Sequence, residues 1–243
     1  LFIAPNSKKS LIILLIQLNQ PTITSGGGIR PTHVEINLDH LCANLKAIKE
    51  KTSPAKVMII LKANAYGHGM DAVARHLAPH ADYIGVAVLE EGILLREMGI
   101  NTPTLVLGGI WEEQIPDFIK HNLTLTASSV ERLLQIDRAA ESLRKKALVH
   151  LKIDTGMERI GVHYYNAHTL QKAALGCKNV ITEGIYSHFA NSDAENLDHA
   201  RIQLARFNEV LDFYPKHSLP TPPLRHMANS GAILQLPEAN FDM

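Results

Sequence analysis

The chain has 243 residues, 46% of them hydrophobic, and 24 Lys and Arg balance 24 Asp and Glu, so its formal charge is zero. That length and apolar content suit a single large globular domain, and charges interspersed without a basic stripe or acidic tail speak against nucleic-acid or membrane-surface partners. Cys42 and Cys177 are the only cysteines. They lie far apart and in no CxxC pair, which excludes a disulfide scaffold and fits reduced thiols in a cytoplasmic protein.

Residues 1–32 read as a leader or upstream segment of unknown role. Lys8 and Lys9 precede an apolar run from Leu11 to Leu18, followed by Pro21 and Gly26-Gly27-Gly28. The run has the length of a signal-peptide core but is too short to span a bilayer, and no clean cleavage site follows it. A periplasmic location would require that run to act as a signal segment, and export is not inferred from it.

From His33 the pattern is regular. His33–Asn37 alternates like a strand, and Asp39 is the expected N-cap of a helix with Leu41, Leu45 and Ile48 on one face. Strands are expected at Val57–Lys62, Tyr83–Val88, Thr104–Leu107, Leu123–Thr126, Ala147–Asp154, Val180–His188 and Leu224–Ala228. Helical patterns lie between them, among them Asp71–Leu77, Glu90–Met98 closed by Gly99, and Ser129–Arg144. In the last, Ser128 and Glu131 have capping-box spacing, and Leu133, Ile136, Ala140 and Leu143 form the apolar face. A long helix from about Leu197 to Phe213 is expected to turn Ile202, Leu204, Phe207 and Leu211 inward. Seven strands alternating with helices predict an α/β fold, a (β/α)8 TIM-like barrel that is incomplete because its eighth strand is missing. No GxGxxG opens the first unit, which speaks against a dinucleotide fold.

In such a barrel the chemistry sits at the carboxyl ends of the strands. The first strand there delivers Lys62, just before Gly67 and Gly69 break the pattern. Burial at a strand end would lower the basicity of its amine and make a nucleophile for Schiff-base chemistry, whereas the commoner fate of such a lysine is to reach solvent. The fifth strand delivers Lys152 and then Asp154-Thr155-Gly156-Met157-Glu158-Arg159-Ile160-Gly161. Arg159 has the planar fork that recognises a carboxylate, or it is a surface arginine at a helix start. The sixth delivers Ser187-His188-Phe189-Ala190, and the seventh His226-Met227-Ala228-Asn229-Ser230-Gly231. Asn229 or Ser230 caps a helix there, and a helix start is also a phosphate site. His76 and His80 are four apart but separated by Pro79, and His163 and His168 have no acidic or Cys partner at ligand spacing. No metal site is expected.

Lys62-Ala63-Asn64-Ala65-Tyr66-Gly67-His68-Gly69 resembles the cofactor-lysine motif of alanine racemases, the fold-type III enzymes that use pyridoxal 5'-phosphate. The stretch from Asp154 to Gly161, Ser187–Ala190 and Asn229–Gly231 are similar to further motifs of that family, in the same order over residues 33–243. The resemblance implies that Lys62 carries the cofactor and serves as one catalytic base, that Tyr66 and Ser230 bind its phosphate with Asn229 beside them, and that His188 packs near the cofactor in a hydrogen-bond network. It implies that Arg159 meets the substrate carboxylate and that Lys152 supports it, in some members as a carbamate. The implied partners are alanine and a second subunit of a homodimer, and the implied product is D-alanine for peptidoglycan. In the family a second base, a tyrosine of a carboxy-terminal β-domain, acts across that dimer interface. That domain is absent here, so a truncated chain, inactive by itself, is expected. A broad-specificity amino-acid racemase and a non-catalytic barrel binding the same cofactor are the alternatives.

Overall fold

The computed structural model describes residues 33–243. The reading of residues 1–32 as a leader therefore lies outside the described residues. A compact unit spans Asn37–Met243.

Seven parallel strands form the main path of one sheet, in chain order: β1 (Met58–Ile60), β2 (Tyr83–Val86), β3 (Thr104–Val106), β4 (Thr124–Ala127), β5 (Ala147–Asp154), β7 (Val180–Tyr186) and β8 (Leu224–His226). A two-residue β6 (Val162–His163) pairs with the far end of β5 and was not foreseen. Helices alternate with these strands: α1 (Leu38–Thr52), α2 (Met70–Leu77), α3 (Leu89–Glu97), α4 (Ile115–Lys120), α5 (Val130–Ser142), α6 (Ala167–Gly176), α7 (Asp198–Leu211), α8 (Phe213–Lys216) and α9 (Ser230–Gln235). A parallel sheet in sequence order with helices between neighbours curls into the incomplete (β/α)8 barrel that the alternation predicts. β2, β3 and β4 are buried at every position, which is why their sequences are apolar or β-branched throughout rather than alternating. Leu133, Ile136 and Ala140 of α5 are fully covered, as the 3.6-residue period requires.

Four local expectations are corrected. His33–Asn37 forms no strand; alternation alone does not make one without a ladder of backbone hydrogen bonds. Asn37, not Asp39, caps α1: its backbone is extended and its Oδ1 accepts from His40 N at 3.0 Å. Asp39 falls inside the first turn instead, where its charge faces the positive end of the helix. α5 is capped by Ser129, which accepts from Arg132 N at 3.1 Å, rather than by the Ser128–Glu131 pair. Ile202 is 49% exposed while Leu204, Phe207 and Leu211 are buried, so the apolar face of α7 is narrower than expected.

Residues 241–243 lie between the two edges of the sheet. Asp242 O accepts from Lys56 N, ahead of β1, at 2.9 Å, and Asp242 N donates to Arg225 O of β8 at 2.9 Å. Met243 packs inside the barrel with Tyr83, Leu105, Tyr186 and Leu224. The Asp242 carboxylate accepts from Arg225 Nε at 2.6 Å, Arg225 Nη2 at 3.0 Å and Arg225 N at 2.8 Å. Both side chains are partly exposed, so Asp242→Ala is expected to lower stability by about 1–2 kcal/mol. Asp242→Asn should cost less, as it keeps an acceptor for Arg225 N. Urea unfolding midpoints of the two variants check the order.

Candidate active site

Immediately after Lys62 the backbone takes a left-handed turn. Ala63, Asn64, Ala65 and Tyr66 have φ between 52° and 56°, and Gly67 follows at 88°. Four consecutive residues with side chains in that region cost roughly 1–2 kcal/mol each, so the turn needs external support. Glu91 of α3 supplies some of it: Oε1 accepts from Ala63 N at 2.7 Å, and Oε2 accepts from Ala87 N at 2.7 Å, joining the loops after β1 and β2. Asn64 supplies more, its Oδ1 accepting from Met70 N at 2.7 Å and its carbonyl from Gly69 N at 3.1 Å. A side chain at Gly67 would meet nothing within 4 Å, so glycine is required there for its backbone conformation alone. The turn leaves Tyr66 61% exposed, and the Lys62 Nζ lies 5.9 Å from the centre of its ring.

Lys62 is only half-buried. Of the two fates weighed for it, contact with solvent is the one observed; the deep burial is found at Lys152, which is 3% exposed near the end of β5. Lys152 Nζ donates to Ile153 O at 2.9 Å and lies 5.1 Å from the centre of the Tyr186 ring. Loss of solvent lowers its pKa to about 8, with the Arg159 charge adding to the effect and Asp154 opposing it. Asp154 is occupied elsewhere. It accepts from the amides of Gly156 at 2.7 Å, Met157 at 2.9 Å and Arg159 at 3.1 Å, which shapes the loop carrying Arg159. Arg159 is exposed on that loop, not at a helix start.

His188, two residues beyond β7, is where these charges meet. Burial, with the charges of Lys152, Arg159 and Lys62 added to it, brings its pKa down to about 4. Lys62, Lys152 and Arg159, expected from two different strands, are thus all within electrostatic reach of His188, expected from a third. Buried Gln203 holds the loop after β7: its Nε2 donates to His188 O at 3.1 Å and its Oε1 accepts from Ala190 N at 3.0 Å. Asn229 caps α9 by accepting from Ala232 N at 3.0 Å, and Ser192 Oγ donates to the same oxygen. Ser230 is the exposed first residue of α9.

The match to the family model described as "Alanine racemase, N-terminal domain" covers residues 36–243. The chain belongs to the alanine racemase family. It is 41% identical over 216 residues to the alanine racemase of Carboxydothermus hydrogenoformans, covering 88% of this chain and 58% of that protein. Among solved structures, the Clostridium difficile 630 alanine racemase in complex with cycloserine superimposes with a TM-score of 0.83 at 35% identity, covering 89% of this chain and 60% of that one. A histidine racemase from Leuconostoc mesenteroides matches with a TM-score of 0.73 at 29% identity over 81% of this chain and 52% of that one. This chain therefore spans about three fifths or less of the length of these alanine and histidine racemases.

Glu91 and Gln203 escaped the reading of the sequence, although each supports a residue on the rim. Glu91 stands three residues after Val88 at a helix start, a position that flags amide-binding carboxylates; Gln203 had no signal beyond being polar on a buried helix face. His163 does have an acidic neighbour, contrary to expectation: its Nδ1 lies 3.7 Å from Glu158 Oε1, and both approach Asp154. Three backbone amides donate to the Asp154 carboxylate, so its acceptors serve mainly to shape the loop that carries Arg159.

Asn64→Ala removes the side-chain acceptor of Met70 N and should cost about 1 kcal/mol, with faster amide exchange confined to residues 63–70. His188 gives a pH test. Its pKa is lowered in the fold, so its contribution to stability is present above about 6.5 and lost as pH falls toward 4. His150 and His226 are lowered as well. The expected result is that His188→Gln loses less stability than the parent between pH 7 and pH 5, measured by denaturant titration at both.

Proposed function

We propose that the chain forms the pyridoxal 5'-phosphate-binding barrel, residues 33–243, of a racemase that interconverts L- and D-alanine. The observation that carries this reading is the half-exposed Lys62 amine at a strand end, held by a left-handed turn on a rim with Lys152 and Arg159. Among the described residues none of these three side chains forms an ion pair, and Asp154 acts on Lys152 only through its field. A rim with unneutralised positive charge fits an anionic cofactor and a carboxylate substrate. When bound, the cofactor supplies the electron sink that acidifies the α-hydrogen of an amino acid.

In this reading Lys62 holds the cofactor and moves the proton on one face of Cα. Tyr66 and Ser230 donate their hydroxyls to the phosphate, and Asn229 fixes the helix start that carries Ser230. Arg159 pairs with the substrate carboxylate. His188, kept neutral by burial and three cations, adds no further charge beside the cofactor. Lys152 supports Arg159; its amine, with a pKa of about 8, is available in neutral form for carbamylation, which would turn a like charge into a partner for Arg159. Inversion needs a base on the other face of Cα, and the family resemblance supports a tyrosine from the second subunit of a homodimer. D-Alanine made this way would serve peptidoglycan synthesis. Cys42 and Cys177 are both free, which suits a cytoplasmic setting. Among the described residues no helix is long and apolar enough to cross a membrane.

Titration with pyridoxal 5'-phosphate followed by borohydride reduction should fix the cofactor on the peptide containing Lys62, and Lys62→Ala should abolish the adduct. Label on a different lysine, or none on folded protein, would overturn the reading. Exchange of the α-hydrogen in D2O, followed by NMR with alanine and with histidine, then tests the substrate. Alanine is expected to exchange faster.

A further inference from the structure

A line of polar side chains crosses the barrel interior beneath the rim, and none of the roles above uses it. Glu183 sits where the β5–β7 register slips: Val149 pairs with Thr182 and His150 with Gly184, leaving Glu183 as the extra residue of a bulge. Its Oε2 accepts from Tyr83 OH at 2.7 Å and lies 3.6 Å from His150 Nε2. His150 is fully buried, and its Nε2 has no nearer partner. On the other side of the ring, His150 Nδ1 and His226 Nε2 are 2.8 Å apart. The His226 ring stacks on Tyr186, with centroids 4.6 Å apart and planes 5° apart, so it cannot swivel freely. Space for His150 is made by Gly184, where a Cβ would come within 2.8 Å of three atoms of the imidazole.

We infer that Glu183 and His150 are positioning residues that lock His226 in its Nε2–H tautomer, so that His226 Nδ1 offers a lone pair to a hydrogen-bond donor at the carboxyl end of β8. The inference rests on the racemase reading only for the meaning of that end of the barrel. An ionised carboxylate only accepts, so the His150 nitrogen facing Glu183 carries the hydrogen. Glu183 stays ionised because the His150 and Tyr83 contacts lower its pKa, and it also lines a cleft of about 290 Å³ at the amino-terminal mouth of the barrel, with Lys56 beside it. Burial keeps both imidazoles neutral. A neutral His150 with Nε2–H has a bare Nδ1, which must accept from His226, and the hydrogen of His226 is then on Nε2. What His226 can bind with its remaining nitrogen is an N–H or O–H donor, not an anion or another acceptor.

The test uses the whole chain, uniformly labelled with 15N at histidine and free of cofactor, with the His226 signals identified by their loss in His226→Gln. The expected spectrum has a protonated Nε2 and a bare Nδ1 on His226, with a single tautomer populated. A protonated Nδ1 on His226, from the opposite tautomer or an imidazolium, overturns the inference outright. Glu183→Leu removes the acceptor and His150→Phe removes the relay; in whichever folds, His226 is expected to divide between two tautomers. An unchanged single tautomer in a folded variant overturns the role given to Glu183 and His150. Cofactor trapping on Lys62 is read in a separate experiment, so either conclusion can fail without the other.

Discussion

An excess of positive charge at one end of the barrel is the constraint on which the rest depends. Lys62, Lys152 and Arg159 all act on His188, and Asp154, the nearest carboxylate to Lys152, spends its oxygens on three backbone amides. Burying a cation without a bonded counter-ion is costly. The chain limits that cost by letting the Lys152 amine lose basicity and by leaving Lys62 and Arg159 in contact with solvent. The two lysines therefore differ in kind. One is a half-exposed amine on a strained turn, free to react; the other is a buried amine whose charge is disfavoured.

The barrel supports this charge with two different devices. At the rim, backbone conformations that the local sequence would not choose are held by long-range hydrogen bonds, as Glu91 does for Ala63. In the interior, polar side chains run in a line from Tyr83 through Glu183 and His150 to His226, with hydrogen bonds at its two ends and a 3.6 Å contact between Glu183 and His150 in the middle. Both devices follow from one topological fact. Parallel strands in sequence order bring residues distant in the chain side by side, and alternate residues of β5 (His150, Lys152 and Asp154) fall on one face.

The central strands were legible because β2, β3 and β4 are buried on both faces. Apolar, β-branched runs such as Tyr83–Val86 admit few other readings, and β5 ends at the residues expected. Helix starts were less legible, since a cap is decided by backbone conformation and not by residue type: Asn37 and Ser129 won over neighbours of similar chemistry. The left-handed turn could not have been read at all. Alanine and tyrosine prefer the right-handed region, and the bonds that reverse the preference come from Glu91 and from Met70 N. The interior line was hidden for a similar reason. Glu183 looks like an exposed residue in an alternating strand, and only the slip between Val149 and His150 turns it inward.

That slip also explains why a glycine follows Glu183. With an ordinary residue at Gly184 the His150 ring would have to move, and with no bulge Glu183 would face the other way, since the side-chain period of a strand is two. The pair Glu183-Gly184 therefore does a single job: one residue brings a carboxylate into the interior and the next makes room for the imidazole that meets it. A buried ring with one nitrogen 3.6 Å from an acid and the other 2.8 Å from a second imidazole has little freedom to change tautomer. Low dielectric strengthens such a chain when every member has its partner and penalises it when one is lost. A polar interior of this kind serves orientation better than it serves stability, which places its value at the end of the chain, in His226.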